Sequence, residues 1–552
     1  MPLARVTRAT RASPTKATPK RTETLKFSAN TFVAHHRDGE KFQDLYDVNY
    51  EKDKIEEGDK SIIYKCRLKE TGEERAVKRI EKSRWNEEEN EKIEREIELL
   101  RTMDHPNTIN IFESFEDETY KYLIMDYCRG GELRNQIFRG SGLSEYYVAV
   151  VIKTILSTVN YFHTKHGVVH LGLKPENILL EGNRQVENLR IIDFGSSIVA
   201  RKAEKIDRLI GNPQYLAPES LQFQKYSHKT DMWAIGVLTF VCLSKTLPFD
   251  APNDREVLEL IVNSKEEVES KNIFTGPEWE VVSKDGIDFI SQLLSYEQFK
   301  RPSAKDALNH PWIRRVTEAQ AEVIQKRDAE IAKVAMDNIF RFKAPSKLQQ
   351  AALTYITSQL LTKFDTDGYD NIYQAVDCSG TGKLTKEDLK KSFDTFLEES
   401  LADAEVASLF EDLDINCSKY VEYKEWLAAA LPEDILLSEE NIKKAFAAFD
   451  KDEDGDISAE DLKQVLGFFL DVSDDRMDHY IQEKILKQVQ TGEDSKITYD
   501  VFVKTLRETK NGQRRDLSAV KTETQKEEDP SIDTRSLFDR CKAAFERSGR
   551  DN

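Results

Sequence analysis

The chain runs to 552 residues, 33% of them charged and 39% hydrophobic, with a formal net charge of −19 at pH 7. That length allows about three to four domains, and the composition suits a globular protein with solvated helices and tails. The acidic balance argues against a general nucleic-acid binder, and the longest apolar stretch, Ala234 to Leu243, falls far short of the ~20 residues a membrane helix needs.

Residues 1–46 read as a basic, disordered N-terminal extension. Arg5, Arg8, Arg11, Lys16, Lys20, Arg21 and Lys26 stand against one acid, Glu23. Three readings stay open for it: a plain solvated tail, a docking arm for an acidic partner, or a transit peptide. No secretory h-region is visible, and the opening Met-Pro is not an N-myristoylation signal. The six cysteines lie far apart with no C-x-x-C pair, so neither a zinc site nor a disulfide framework is indicated. A reducing cytoplasm is the expected setting.

From about residue 47 the pattern turns to short strands. Ser61 to Leu68 alternates, Thr71-Gly72 makes a turn, and Arg75 to Ile80 reads as the next strand. Residues 86–101 predict a helix with Ile93, Ile97 and Leu100 on one face. Tyr122 to Met125 reads as a strand leading into Asp126-Tyr127-Cys128. A long apolar helix is expected from about Ser144, its N-cap, to Thr164. Then come eight residues, His170-Leu171-Gly172-Leu173-Lys174-Pro175-Glu176-Asn177, followed after an apolar run by Asp193-Phe194-Gly195.

These motifs resemble the catalytic and magnesium loops of eukaryotic protein kinases, where the first block normally reads H-R-D-L-K-P-x-N. Here Leu171 stands for the Arg and Gly172 for the Asp. In that family the Asp accepts the substrate hydroxyl proton, and glycine has no group to accept one. The resemblance implies that Lys78 grips the phosphates and pairs with Glu96, and that Lys174, Asn177 and Asp193 remain for ATP and magnesium. It makes Met125 the gatekeeper and Asp126 and Cys128 hinge residues. The glycine-rich loop keeps Gly58 and ends at Ile63, but Glu56 and Ser61 replace its other glycines. Glycines there let backbone N–H groups approach phosphate, so nucleotide binding is expected to be weak and an ordinary hairpin is an equal reading. Glu219 and Arg301 match a buried ion pair, and Asp231 matches a brace beneath the catalytic loop.

Residues 314–344 read as one charged helix with Ile331, Val334, Ala335, Ile339 and Phe342 at helical spacing. Pro345 breaks it and Ser346 caps the next. A repeat of acidic loops follows. A calcium hand takes oxygens from loop positions 1, 3, 5, 7, 9 and 12, with glycine at 6. The strongest match is Asp450, Asp452, Asp454, Asp456 and Asp461, with Gly455 at the turn. The first loop offers Asp377, Ser379, Thr381, Lys383 and Asp388. The second offers Asp414, Asn416, Ser418, Tyr420 and Glu425, with Lys419 in the glycine position. Lys383, Tyr420 and Asp456 sit at position 7, where the ligand is a backbone carbonyl. Two loops end in Asp, one methylene shorter than Glu, which weakens calcium relative to magnesium. The fourth loop, 490–501, lacks acid at both ends and is read as empty, with Ile497 pairing to a partner loop.

Together these parts resemble the calcium-dependent protein kinases of plants and protists. The implied fold is multidomain α+β. A bilobal protein-kinase-like domain spans 47–313 and a helical junction 314–360. An all-α EF-hand (calmodulin-like) domain follows over 361–507. A charged linker and amphipathic helix close the chain at 508–552, the helix carrying Leu537, Phe538, Cys541, Ala544 and Phe545 on one face. Three functions are carried: a calcium-regulated pseudokinase, an active calcium-regulated Ser/Thr kinase of low turnover, and a scaffold associated with the cytoskeleton. Protein partners are expected at the basic tail and the C-terminal helix.

Overall fold

Alternating strands build the first lobe. The structure is a computed structural model describing residues 34–35 and 41–508, apart from 59–60, 85–86, 141, 183–184, 201–208, 317–328, 344, 367, 398–400, 417, 468–480, 488 and 490–495. The expected docking segments, the basic tail's residues 1–33 and 36–40 and the C-terminal helix, therefore lie outside the described residues. So do residues 317–328 of the junction helix.

Strands β1 (Lys54–Glu57), β2 (Ser61–Leu68) and β3 (Glu74–Glu81) run antiparallel in turn. Helix α1 (Glu87–Thr102) follows, then β4 (Ile111–Glu116) and β5 (Tyr120–Asp126). In space β5 lies between β3 and β4, so Lys78 stands opposite Ile63 on one side and Leu123 on the other. Ile93, Ile97 and Leu100 of α1 are all buried, as their spacing predicts.

The second lobe is helical. Helix α2 (Glu145–Tyr161) is buried over most of its length because it is apolar on nearly every side. It passes into a π-turn over Phe162–His166, which Gly167 ends at φ 63°. Ser144 holds the N-cap position with extended backbone, but its hydroxyl makes no capping bond and has no partner. Helix α3 (His228–Ser244) is also buried, with Asp231 fully enclosed. Arg301 forks onto both Glu219 oxygens at 2.7 and 2.8 Å and lies over the Trp233 ring. Two parallel charge-assisted bonds let such a pair persist in a dry core.

Within the described residues the junction's helix α4 runs Ala329–Arg341 and stops before Pro345. Ala332, Ala335, Met336 and Ile339 form its buried face, whereas Val334 is 41% exposed. Ser346 caps α5 (Lys347–Tyr355) by accepting from the Gln349 amide, with Gln349 answering in a capping box.

Three hands follow: α6 (Tyr369–Val376) and α7 (Lys386–Phe396), α8 (Asp403–Leu413) and α9 (Tyr423–Ala430), α10 (Glu439–Phe449) and α11 (Ala459–Gly467). Helix α12 (Tyr499–Arg507) closes the fourth. The loops pair through their apolar residues, Leu384 with Val421 and Ile457 with Ile497. The hands bury α4 and α5 in their shared core. Asn338 on α4 donates to the Ala430 carbonyl at 2.8 Å, and Tyr355 meets Phe449 edge to face. The apolar stripes of these hands are thus covered by the chain's own junction.

Candidate functional site

The cleft is built on the backbone around His170. Asp231 rises from α3 and accepts the amides of His170 and Leu171, each at 2.9 Å, while its Oδ2 lies 2.8 Å from His163 Nε2. These bonds hold Leu171 in a left-handed conformation, φ 59°. The Gly172 amide then donates to His170 Nδ1 at 3.1 Å. Asn177 donates to the Gly172 carbonyl at 2.8 Å and to Asp193 Oδ2 at 3.2 Å. Phe194 is buried against Phe162 and His170, which fixes Asp193, itself at φ 66°.

Across the cleft Lys78 Nζ lies 3.4 Å from Glu96 Oε1. Burial alone would lower the lysine's pKa, but Glu96, Asp193 and Glu56 outweigh it and hold the ammonium above its ordinary value. Lys78, Glu96, Asp193 and Asn177 are therefore gathered in one place. No carboxylate stands at Gly172. Glu176 is turned outward, 3.2 Å from Arg134. Lys174 is half-buried in the loop between them.

Two expected cofactor positions lie beside the cleft, on the β1–β2 hairpin and at the end of β5. Gly58 closes the β1–β2 hairpin by donating to the Ser61 carbonyl at 2.9 Å, and Glu56 and Ile63 face each other across it. Asp126 accepts the Asn110 amide at 2.9 Å and lies 3.9 Å from Arg190. Its carboxylate thus points behind the hinge, away from the cleft, and only its backbone is left for a nucleotide. Met125 pairs in register with Ala76, and Cys128 is buried. Leu171 packs with Val169 and Tyr226, against Ile198 and Ile210, so an apolar cluster fills the place of the missing arginine.

The cation loops have their own order. In the third, carboxylate oxygens of Asp450, Asp452 and Asp454 lie within 4.8 Å of one another. Gly455 makes the turn at φ 94° and its amide donates to Asp450 Oδ2 at 3.0 Å. Asp450 Oδ1 is buried without a partner, and a buried oxygen in that state suits a cation. Asp461 is held ionised below the usual range. Burial works against this, and hydrogen bonds from Ser458 and the loop backbone prevail. Asp456 supplies the position-7 backbone. This donor set fits a hard divalent cation.

The first loop is closed on itself. Asp377 accepts the Thr381 amide and the Ser379 hydroxyl, each at 3.0 Å. Asp388 accepts from Ser379 and Thr385. Burial and the neighbouring Asp388 push Asp377 up to about 7. In the second loop Asp414 accepts the Ser418 and Lys419 amides at 2.7 and 2.9 Å, with Lys419 at φ 72°. Glu425 accepts the Asn416 and Glu422 amides at 2.9 Å, and burial raises it well above its ordinary value. Asn416 Oδ1 is buried without a partner. Lys383 lies over the Tyr420 ring, joining the two position-7 residues.

These two loops touch the kinase-like body, a contact that no motif announced. Asn160 on α2 donates to the Gly380 carbonyl at 2.9 Å, and Gln374 reaches Asn107 at 3.3 Å. Lys165 pairs with Glu422, and the Lys424 amide donates to Asp104 at 3.3 Å. A phosphoryl-transfer frame and a cation sensor thus share an interface. A model of the protein kinase domain matches residues 50–313, an EF-hand domain pair matches 370–431, and an EF-hand domain matches 441–471. Calcium-dependent protein kinase 4 of Plasmodium berghei is 35% identical over 79% of this chain and 81% of its own length. Its Plasmodium falciparum namesake is 35% identical over 79% and 82%. Calcium-dependent protein kinase 32 of Arabidopsis thaliana is 31% identical over 81% and 79%.

The chain belongs to the calcium-dependent protein kinase family. Within that family it carries Leu171-Gly172 in its catalytic loop, and its fourth loop lies outside the matched EF-hand spans. Among the described residues no helix is long and apolar enough to cross a membrane.

Proposed function

We propose that this family member is a calcium-regulated pseudokinase that signals by changing shape and docking. The supporting observation is Gly172. The residues that would hold nucleotide and magnesium are assembled around it, yet an incoming hydroxyl meets no carboxylate there. Lys78, Asp193 and Asn177 would hold ATP and magnesium weakly, because Glu56 and Ser61 replace two glycines of the phosphate loop. Calcium supplies the charge that draws Asp377, Asp388, Asp414 and Glu425 off their own loop amides. Because the first two loops rest on Asn160, Lys165 and Asp104, their rearrangement is felt by the kinase-like body. A cytoplasmic setting, with or without the cytoskeleton, suits the free thiols of Cys66, Cys128, Cys242 and Cys378.

Equilibrium nucleotide binding with and without magnesium tests the cleft. The expected result is weak binding that magnesium strengthens and Asp193→Asn removes. Binding indifferent to both would count against the assignment of Asp193. A second reading, a working kinase of low turnover, is favoured by the intact Lys78–Glu96 and Asn177–Asp193 contacts. Loss of a general base costs only about 10²–10⁴-fold, and the rest of phosphoryl transfer is positioning and electrostatics.

A further inference from the structure

Three large apolar side chains of the kinase-like body stand in solvent on neighbouring segments. Phe223 is 63% exposed at the end of the helix Pro218–Phe223, Leu260 is 39% exposed on the helix Asp254–Asn263, and Phe299 is 86% exposed in the turn Gln298–Lys300. Tyr296 ties these segments together. Its Oη accepts from Gln222 Nε2 at 3.0 Å and donates to the Val262 carbonyl at 2.6 Å. Phe223 adjoins Gln222, Leu260 stands just before Val262, and Phe299 follows soon after Tyr296, so all three belong to one surface. Single exposed apolar residues are ordinary, but a group of them marks a contact surface.

The same surface is acidic. Asp254, Glu256, Glu259, Glu266, Glu267 and Glu269 are all exposed, against the bases Arg255 and Lys265. Arg255 is taken up by Glu259 at 3.1 Å, and Lys265 by Glu297 at 3.0 Å. A cover for this surface must therefore bring both an apolar stripe and positive charge. The same face of a second copy would set acid against acid, which is unfavourable. The basic residues 1–33 carry charge but no apolar stripe at helical spacing.

The chain's own C-terminal segment carries both. Helical spacing puts Leu537, Phe538, Cys541, Ala544 and Phe545 on one face. Around that face Arg535, Arg540, Lys542, Arg547 and Arg550 stand against Asp539 and Glu546. The last described helix ends at Arg507. Residues 509–534 can span up to about 85 Å when extended, several times the ~18 Å radius of gyration of a domain the size of the kinase-like body.

We propose that the segment from Arg535 to Arg550 docks in cis as a helix on this surface. Its apolar stripe covers Phe223, Leu260 and Phe299, and its bases lie along the acids between Asp254 and Glu269. The cation module is then held to the kinase-like body at both of its ends, through the junction and through this clasp, and the linker keeps the clasp at high effective concentration. The docking depends neither on the chemistry at Gly172 nor on calcium.

Hydrogen–deuterium exchange on the full chain tests this, because docking slows the opening of the helix beneath it. The amides of residues 254–263 are expected to exchange about fivefold more slowly in the native chain than in the double variant Leu537→Asp/Phe545→Asp, at every protein concentration. Phe299→Asp, an exposed position on the body, should cause the same loss of protection. Val334→Asp, at an exposed apolar residue of the junction, should leave the protection whole. Equal exchange in the native chain and the double variant, protection that survives Phe299→Asp, or loss in Val334→Asp would each overturn the proposal. So would protection that appears only as concentration rises, which would assign the helix to a second copy.

Discussion

At Gly172 the backbone has nearly enough room for the group it lacks. A Cβ there would lie 3.3 Å from Asn177 Nδ2 and from the His170 ring, and the residue does not have positive φ. The neighbours are side-chain atoms, so a few tenths of an ångström of movement admits it. Asp231, Asn177 and Asp193 already hold the loop on three sides. Gly172→Asp is therefore expected to raise phosphoryl transfer by about 10²–10⁴-fold, measured by radiolabel incorporation into a peptide. No gain in a folded variant would place the defect elsewhere, in the Glu56–Gly58 hairpin first. The meeting of Lys78 with Glu96, and of Arg301 with Glu219, was legible in the sequence because each residue sits in a motif with a fixed element around it. The direction of the Asp126 carboxylate was not. It depends on the Asn110 amide and Arg190, which lie far from it in the chain and carry no signature.

The cation loops show how far a spacing rule reaches at the scale of one element. Positions 1, 3 and 5 converge in the third loop, and Gly455 turns where glycine is required. Lys419 takes the same left-handed turn in the second loop without being glycine. Left-handed backbone costs a side-chain-bearing residue about 1 kcal/mol or more. Lys419→Gly is expected to tighten calcium at that loop by roughly fivefold, about 1 kcal/mol by the affinity relation. A site-resolved calcium titration reads it, and unchanged affinity would mean the strain is carried in both states. What the spacing rule could not supply is the competition inside each loop. Asp454 is paired with Lys496 of the fourth loop, and Asp388 with hydroxyls of its own. Helical periodicity located α4 but placed Val334 on the wrong face. Ala332 and Met336 complete the buried stripe, and small or flexible residues give a weak periodic signal.

At the scale of the molecule the informative contacts join residues that the sequence keeps apart. Asn160 and Gly380 are 220 positions distant, Lys165 and Glu422 257. The domain order was readable; their docking was not, because it rests on single polar contacts without a pattern. Lys165→Glu sets a like charge against Glu422 and is expected to loosen the module from the body. Small-angle scattering should record a larger radius of gyration than for the native chain, with the calcium loops still functional. An unchanged radius would show that the Asp104 and Asn160 contacts suffice.

The most direct measurement is phosphoryl transfer by the native full chain with saturating ATP, magnesium and calcium, run beside Asp193→Asn. A kinase frame without a proton acceptor predicts incorporation no higher than that of the Asp193→Asn control. Turnover at an ordinary kinase rate, about 1–100 s⁻¹, abolished by Asp193→Asn, would contradict it.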